Sequence, residues 1–282
     1  MSGPNKDQED FWRDQAGHIW VDQRAAMDAA LAPVLDLVLD HARLGSGERV
    51  LDIGCGAGTS TLAAAELTGS DGGVCGLDIS QTLLDAAMVR ADAHPQVSFA
   101  LADAQTHGFE QAATDCVLSR FGVMFFDDPT AAFANLASAL RPDGRMVMAA
   151  WGAIGQNPYF TMPAGVAKNL LGPIPKSDPD APGPFAFREA ESVIHILANA
   201  GLADVSVIPV DLALTPQGNA QEVAALMCQI GPAQSALKHH DADTPTQRAM
   251  QDALALALQD FVTPQGIRIP GQINLITARK PA

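Results

Sequence analysis

Residues 49–67 constrain this chain more than any other stretch. Arg49-Val50-Leu51-Asp52-Ile53 reads as a short buried strand, apolar apart from the acid near its end. Gly54, Gly56 and Gly58 follow at alternate positions, and Thr59 stands as N-cap to a helix through Leu62-Ala63-Ala64-Ala65-Glu66-Leu67. Strand, glycine turn and helix N-terminus form the ligand-binding corner of an open α/β sheet. The glycines bring backbone close to a ligand, and the helix end offers free N–H donors. The plain alternative is a glycine-rich turn with no ligand, which would loosen the junction for nothing.

Spacing narrows the choice. A dinucleotide fingerprint needs G-x-G-x-x-G. Counted from Gly54, its third glycine falls on Thr59, a β-branched residue. The pattern is instead D-x-G-x-G-x-G, led by Asp52.

Strands and helices then alternate. Gly73–Asp78 reads as a second strand, Ser80 caps a helix over residues 81–91, and Val97–Leu101 is a third strand leading to Asp103-Ala104. Residues 115–119 form a fourth. A helix over residues 131–140 starts from Asp128 with Pro129 at its first position. The turn Arg141-Pro142-Asp143-Gly144 feeds a fifth strand over residues 145–150. This rhythm predicts a doubly wound, mostly parallel sheet.

Asp78 lies about 20 residues beyond the glycines, where such sheets place an acid against a ribose diol. Read singly, Asp78 and Asp103 are equally well strand-end or capping acids. Ahead of the sheet, Phe11 to Trp20 holds two of the three tryptophans, and Met27, Leu31, Val34, Leu35 and Val38 repeat at helical spacing, interrupted by Pro33. The segment 11–45 is therefore expected to be helical, either capping the core or covering the corner as a lid; Met1 to Asp10 is expected to be loose. From Trp151 to Phe187 prolines multiply and regularity lapses, so residues 152–187 are expected to be an irregular insertion. Further helices are expected over residues 188–200, 222–230 and 246–261, and strands over 205–214 and 271–278.

The acid-tipped strands, the glycine pattern and the Leu140-Arg141-Pro142-Asp143-Gly144-Arg145 turn resemble the core of class I S-adenosylmethionine-dependent methyltransferases. The small-molecule, methyltransferase type 11 or quinone-biosynthesis-like group is the nearest in character. The resemblance covers roughly Phe11 to Trp151. It implies a single domain over residues 1–282, with a seven-stranded Rossmann-like α/β sheet whose last strand runs antiparallel between its neighbours. It further implies that Asp52, Gly54, Gly56, Gly58 and Thr59 cradle S-adenosylmethionine. Asp78 would accept the ribose hydroxyls, Ile79 would cover adenine, and Asp103 would meet the adenine amino group beside Ala104. Trp20 would close over the cofactor, which would leave as S-adenosylhomocysteine.

Ser119 to Phe126 follows the fourth strand, beyond which open sheets bind ligands. Arg120 is a candidate for the cofactor carboxylate or for the pocket wall. Met124, Trp151, Tyr159, Phe160 and Phe187 are the acceptor-side candidates, with insertion 152–187 as a roof or a stiff surface excursion. Methyl transfer can run largely on alignment and water exclusion, with a base needed only for a protonated acceptor. Among the histidines, His18 in the lid is the candidate base. His195 falls inside a helix, and His239-His240 in a polar loop. No histidine–carboxylate spacing suggests a metal.

The net charge of −15 argues against nucleic acid or an anionic membrane as partner, and no apolar run spans a bilayer. Four scattered cysteines without a C-x-x-C pair, and no leader-like segment, lead to a reduced cytoplasmic protein with a small-molecule substrate. Oligomeric state stays open, a homodimer included. Two other readings stand beside methyl transfer: a cofactor-binding protein without catalysis, and a nicotinamide-dependent oxidoreductase.

Overall fold

A computed structural model describes residues 4–175 and 178–282 of the chain. Residues 1–3, part of the tail expected to be loose, lie outside the described residues, as do residues 176–177 within the expected insertion. Seven strands form one sheet: β1 (Arg49–Ile53), β2 (Gly73–Asp78), β3 (Val97–Leu101), β4 (Thr114–Arg120), β5 (Leu140–Trp151), β6 (Ala203–Leu214) and, at the end of the chain, the strand Ile269–Arg279. Between β6 and that last strand lies a two-rung hairpin, β7 (Val262–Thr263) with β8 (Gly266–Ile267), so the last strand is β9. Their order is β3-β2-β1-β4-β5-β9-β6, with β9 antiparallel to both neighbours and all other pairs parallel. This is the class I methyltransferase arrangement, and the expected fold holds.

The arrangement follows from the apolar runs. Residues 146–151 of β5 are all buried, and a strand with consecutive buried residues has cover on both faces. Helices α4 (Ala32–Ala42) and α7 (Pro129–Ala139) both pack on β5. Further along the sheet, α5 (Thr59–Thr68) packs on β1 and β2, α6 (Gln81–Arg90) on β2 and β3, and α9 (Ala190–Asn199) on β6. Phe133, Leu118, Met146 and Met148 are fully buried at the centre. The expected turn at residues 141–144 sits inside β5 as a register break, with Asp143 at φ 62°.

Ahead of the sheet run α1 (Lys6–Arg13), α2 (Gln15–Asp22) and α3 (Arg24–Ala30). The expected helix over Met27–Val38 is divided at Leu31, and Pro33 falls in the first turn of α4, where its missing N–H costs nothing. Two expectations are corrected here. Asn5 to Asp10 is ordered: α1 begins at Lys6, and Asn5 is 3% exposed. The interval 152–187 is not irregular throughout, because α8 (Pro158–Leu171) occupies fourteen of its residues. Pro158 opens that helix at a tolerated position, and Pro163 is carried inside it.

Three more helices complete the chain: α10 (Ala220–Met227), α11 (Pro232–His239) and α12 (Thr244–Ala257). They pack with α8 into one helical layer. His239 therefore ends a helix rather than lying in a loop, though both it and His240 are exposed. No helix among the described residues is long and apolar enough to cross a membrane.

Candidate functional site

The sheet reverses its strand order between β1 and β4, and ligands in open α/β sheets lie beyond the strand ends at that point. Here the two loops touch backbone to backbone. A Cβ on Gly54 would stand 2.6 Å from Gly122 Cα, and one on Gly122 would stand 2.3 Å from the Ile53 carbonyl oxygen. Ser119 ties the contact, donating to that carbonyl at 2.8 Å and accepting from Gly122 N–H at 3.0 Å. Gly56 differs: with φ 55°, a Cβ there would meet nothing within 4 Å. It faces open space while its neighbours face protein.

Gly58, not Thr59, caps α5; Thr59 is the first helical residue. The Thr59 hydroxyl instead donates to Asp28 Oδ2 at 2.6 Å and accepts from Arg90 at 2.8 Å. Asp28 also accepts from Arg120 at 3.0 Å, and Arg24 stands 3.6 Å away. One carboxylate thus holds two arginines beside the glycine loop, with Arg90 joined to it through the Thr59 hydroxyl. The Arg120 Nη1 group is buried with no partner among the described residues.

Asp52 is fully buried. Its Oδ2 accepts from the Ser60 and Thr61 hydroxyls, each at 2.6 Å, while Oδ1 has no partner among the described residues. Burial holds its carboxyl above the usual range, with the two hydroxyls opposing. Asp78 joins β2 to the glycine turn, accepting from Gly56 N–H at 2.8 Å and Ser80 N–H at 2.9 Å. Burial pushes its carboxyl up to about 6, against those two backbone donors. Ser80 caps α6 as expected, Ile79 is half-buried between them, and Ala104 is buried. Asp103 accepts at Oδ1 from Gln105 N–H at 2.9 Å and from Asn5 Nδ2 at 2.8 Å.

The N-terminal helices lie against this corner. Trp12 packs edge-on to Trp20 (5.9 Å between ring centres) and to Phe125 (5.7 Å), and its carbonyl accepts from the Ser80 hydroxyl at 2.9 Å. His18 is exposed on α2.

On the other side, Phe121 holds a left-handed backbone (φ 67°), rare for a bulky residue. Its ring stacks on Trp151 at 4.4 Å and 11°. Phe160 meets Trp151 edge-on at 4.9 Å, and Phe185 and Tyr159 meet Phe160 at 4.9 and 5.8 Å. Trp151, Tyr159 and Phe160 are thereby brought together. Burial pushes the Tyr159 phenol up to about 12, so it stays protonated at neutral pH. Phe187 is separate: it packs at 6.0 Å on the fully buried Phe133, and Met124 is likewise a core residue. Asn5, Asp28 and Arg90 were missed from the sequence, and Gly122 was met there only within the segment 119–126. Only Gly122, a glycine just past a strand, carried a local signal.

Residues 50–144 match the family model described as a methyltransferase domain. The chain is 39% identical over 103 residues to aklanonic acid methyltransferase DauC of Streptomyces sp. (strain C5), covering 36% of this chain and 47% of that protein. It is 30% identical over 162 residues to 27-O-demethylrifamycin SV methyltransferase of Amycolatopsis mediterranei (strain S699), covering 56% and 57%. The chain thus spans 37 to 57% of the length of the first curated relatives it matches. Its fold is shared with Haemonchus contortus phosphoethanolamine N-methyltransferase 2 in complex with S-adenosyl-L-methionine, at TM-score 0.53, 19% identity, and coverage of 89% of this chain and 53% of that one.

Proposed function

We propose that this chain, which carries a methyltransferase domain on the class I fold, transfers a methyl group from S-adenosylmethionine to a small-molecule acceptor. The observation that carries the reading is the Gly56 cradle, where backbone bonded to Asp78 faces open space at the sheet's reversal point. The residues present fit the cofactor. Asp78 supplies carboxylate oxygens for a diol, Asp103 keeps Oδ2 for an amino donor, and the orphaned Nη1 of Arg120 suits a carboxylate. A nicotinamide dinucleotide fits less well, since the third fingerprint glycine is Thr59, already bound to Asp28.

When bound, S-adenosylmethionine supplies a sulfonium methyl group and departs as S-adenosylhomocysteine. The protein's part is to align and to exclude water, with Trp12, Trp20 and Phe125 as cover on one side and Phe121, Trp151 and Phe160 as wall on the other. His18 as base and Trp20 as lid belong to this proposal, as do the domain bounds 11–45 and 152–187 and action in the cytoplasm. No group of three metal-ligating side chains is found among the described residues.

Calorimetry with S-adenosylhomocysteine tests the cofactor. Turnover against aromatic hydroxy acids, phenols, amines, thiols and quinones tests the acceptor, starting from aromatics because Phe121, Trp151 and Phe160 form a wall of packed rings. We expect binding, and product S-adenosylhomocysteine with at least one aromatic acceptor. No binding would sink the reading, and binding without turnover on any acceptor would favour a non-catalytic binding protein.

A further inference from the structure

We infer that Asn5 is the latch of an N-terminal strap, and that Asp103 couples this latch to occupancy of the cofactor corner. The coupling half rests on the cofactor reading above; the latch half does not. The Asn5 side chain reaches loops that follow two different strands. Its Nδ2 donates to Asp103 Oδ1 at 2.8 Å and to Gln105 Oε1 at 3.2 Å. Its Oδ1 accepts from Asp127 N–H, and its own N–H donates to Asp127 Oδ2, both at 2.7 Å. Asn5 holds φ 56°, a left-handed backbone that asparagine tolerates better than most residues.

Little else holds this end of the strap. Helix α1 has no buried residue, and Phe11 is 57% exposed. The pairs of Lys6 with Glu9 and Asp10, and of Arg13 with Glu9, are internal to α1 and exposed, so they stabilise the helix without fastening it. The next attachment is Trp12, through Ser80 and the edge-on contact with Phe125. At that crossing Gly17 is required, because a Cβ there would stand 2.2 Å from the Trp12 carbonyl oxygen. The strap therefore runs from Asp103 to Ser80, across the ends of β2 and β3, with Asn5 as its buried terminal pin.

Asp103 divides its two oxygens. Among the described residues, Oδ1 takes Asn5 and the Gln105 N–H, whereas Oδ2 accepts only the Thr106 hydroxyl at 3.4 Å. A carboxylate offers about four acceptor sites, so Oδ2 can take an amino donor while Oδ1 keeps the latch. A carboxylate already pinned by two donors loses less freedom when a third arrives, so the closed latch favours the ligand. By reciprocity the ligand favours the closed latch. Asn5 is thus a positioning residue for Asp103, acting from 98 positions away in the chain.

Trypsin reads the strap directly, since Lys6 and Arg13 flank α1. In the ligand-free protein, Asn5→Ala should speed cleavage after Arg13 about tenfold, the factor one lost charge-assisted bond provides. Asn5→Asp sets a carboxylate against Asp103 and Asp127 and should speed it further. Saturating S-adenosylhomocysteine should slow cleavage of the wild type, and its dissociation should be about tenfold faster from Asn5→Ala, with melting temperature nearly unchanged. Asp103→Ala should lose strap protection and ligand affinity together. Equal cleavage of ligand-free wild type and Asn5→Asp would overturn the latch. An intact strap in Asp103→Ala, or unchanged ligand dissociation from Asn5→Ala, would overturn the coupling. Should the wild type bind no S-adenosylhomocysteine, the cofactor reading and the coupling fall, while the ligand-free cleavage still judges the latch.

Discussion

The two sides of the sheet's reversal point are built differently. Around β1, β2 and β3 the site consists of backbone and of acids bonded to backbone: Gly54 against Gly122, and Asp78 on Gly56 and Ser80. Around β5 and α8 it consists of rings, with Phe121, Trp151, Phe160 and Phe185 leaning on one another. Backbone geometry tolerates few sequences, whereas an aromatic wall can be reshaped by changing any one ring. One side is suited to hold a constant ligand, and the other to vary its partner.

That contrast can be broken at its rigid side first. Gly122→Ala puts a methyl against the Ile53 carbonyl and should cost about 3 kcal/mol, since neither backbone can yield cheaply. For a chain of this size, thermal melting should fall by roughly 10 °C. A fall of under about 2 °C would show the two loops to be less tightly joined than this.

Next comes pH. The Asp78 carboxyl titrates at about 6, raised from 3.8, so the folded protein favours its neutral form. Its contribution to ligand-free stability is therefore present below about 3.8 and lost as pH rises through 6. Binding of S-adenosylhomocysteine should run oppositely, weakening by up to about tenfold per unit below pH 6 as the carboxylate is lost. Asp78→Ala should remove that slope and most of the affinity. Calorimetry across pH 5 to 8 checks both.

The smallest effect should lie on the aromatic side. Phe160→Ala should lower kcat/KM for an aromatic acceptor by about tenfold, the scale of one lost ring contact, while leaving S-adenosylhomocysteine affinity within about twofold. Equal losses in both would erase the distinction between the two sides.

The same division governed what could be read from the sequence. Glycine spacing, acid-tipped strands and the Asp128-Pro129 start are local signals, and β1 to β3 appeared at their expected bounds. Pro158 and Pro163 disguised α8, because proline reads as a breaker even when the first turn or tertiary packing accommodates it. The polar run of α1 gave no apolar period, since that helix buries nothing. Asn5 and Asp28 were invisible for another reason: their partners lie 122 and 92 positions away, and pairings at that range leave no local pattern.

The place of β9 bears on how the molecule is made. Among the described residues, strand β6 joins the sheet through β9, which follows it in the chain and pairs with β5 on its other side. During synthesis β5 and β6 both wait with unpaired edges until residues 269–279 emerge. The parallel half β3-β2-β1-β4-β5 has all its strands much earlier. Residues 269–279 thus zip β6 onto β5, and a ribosome stalled before residue 269 would present an open sheet for other chains to join.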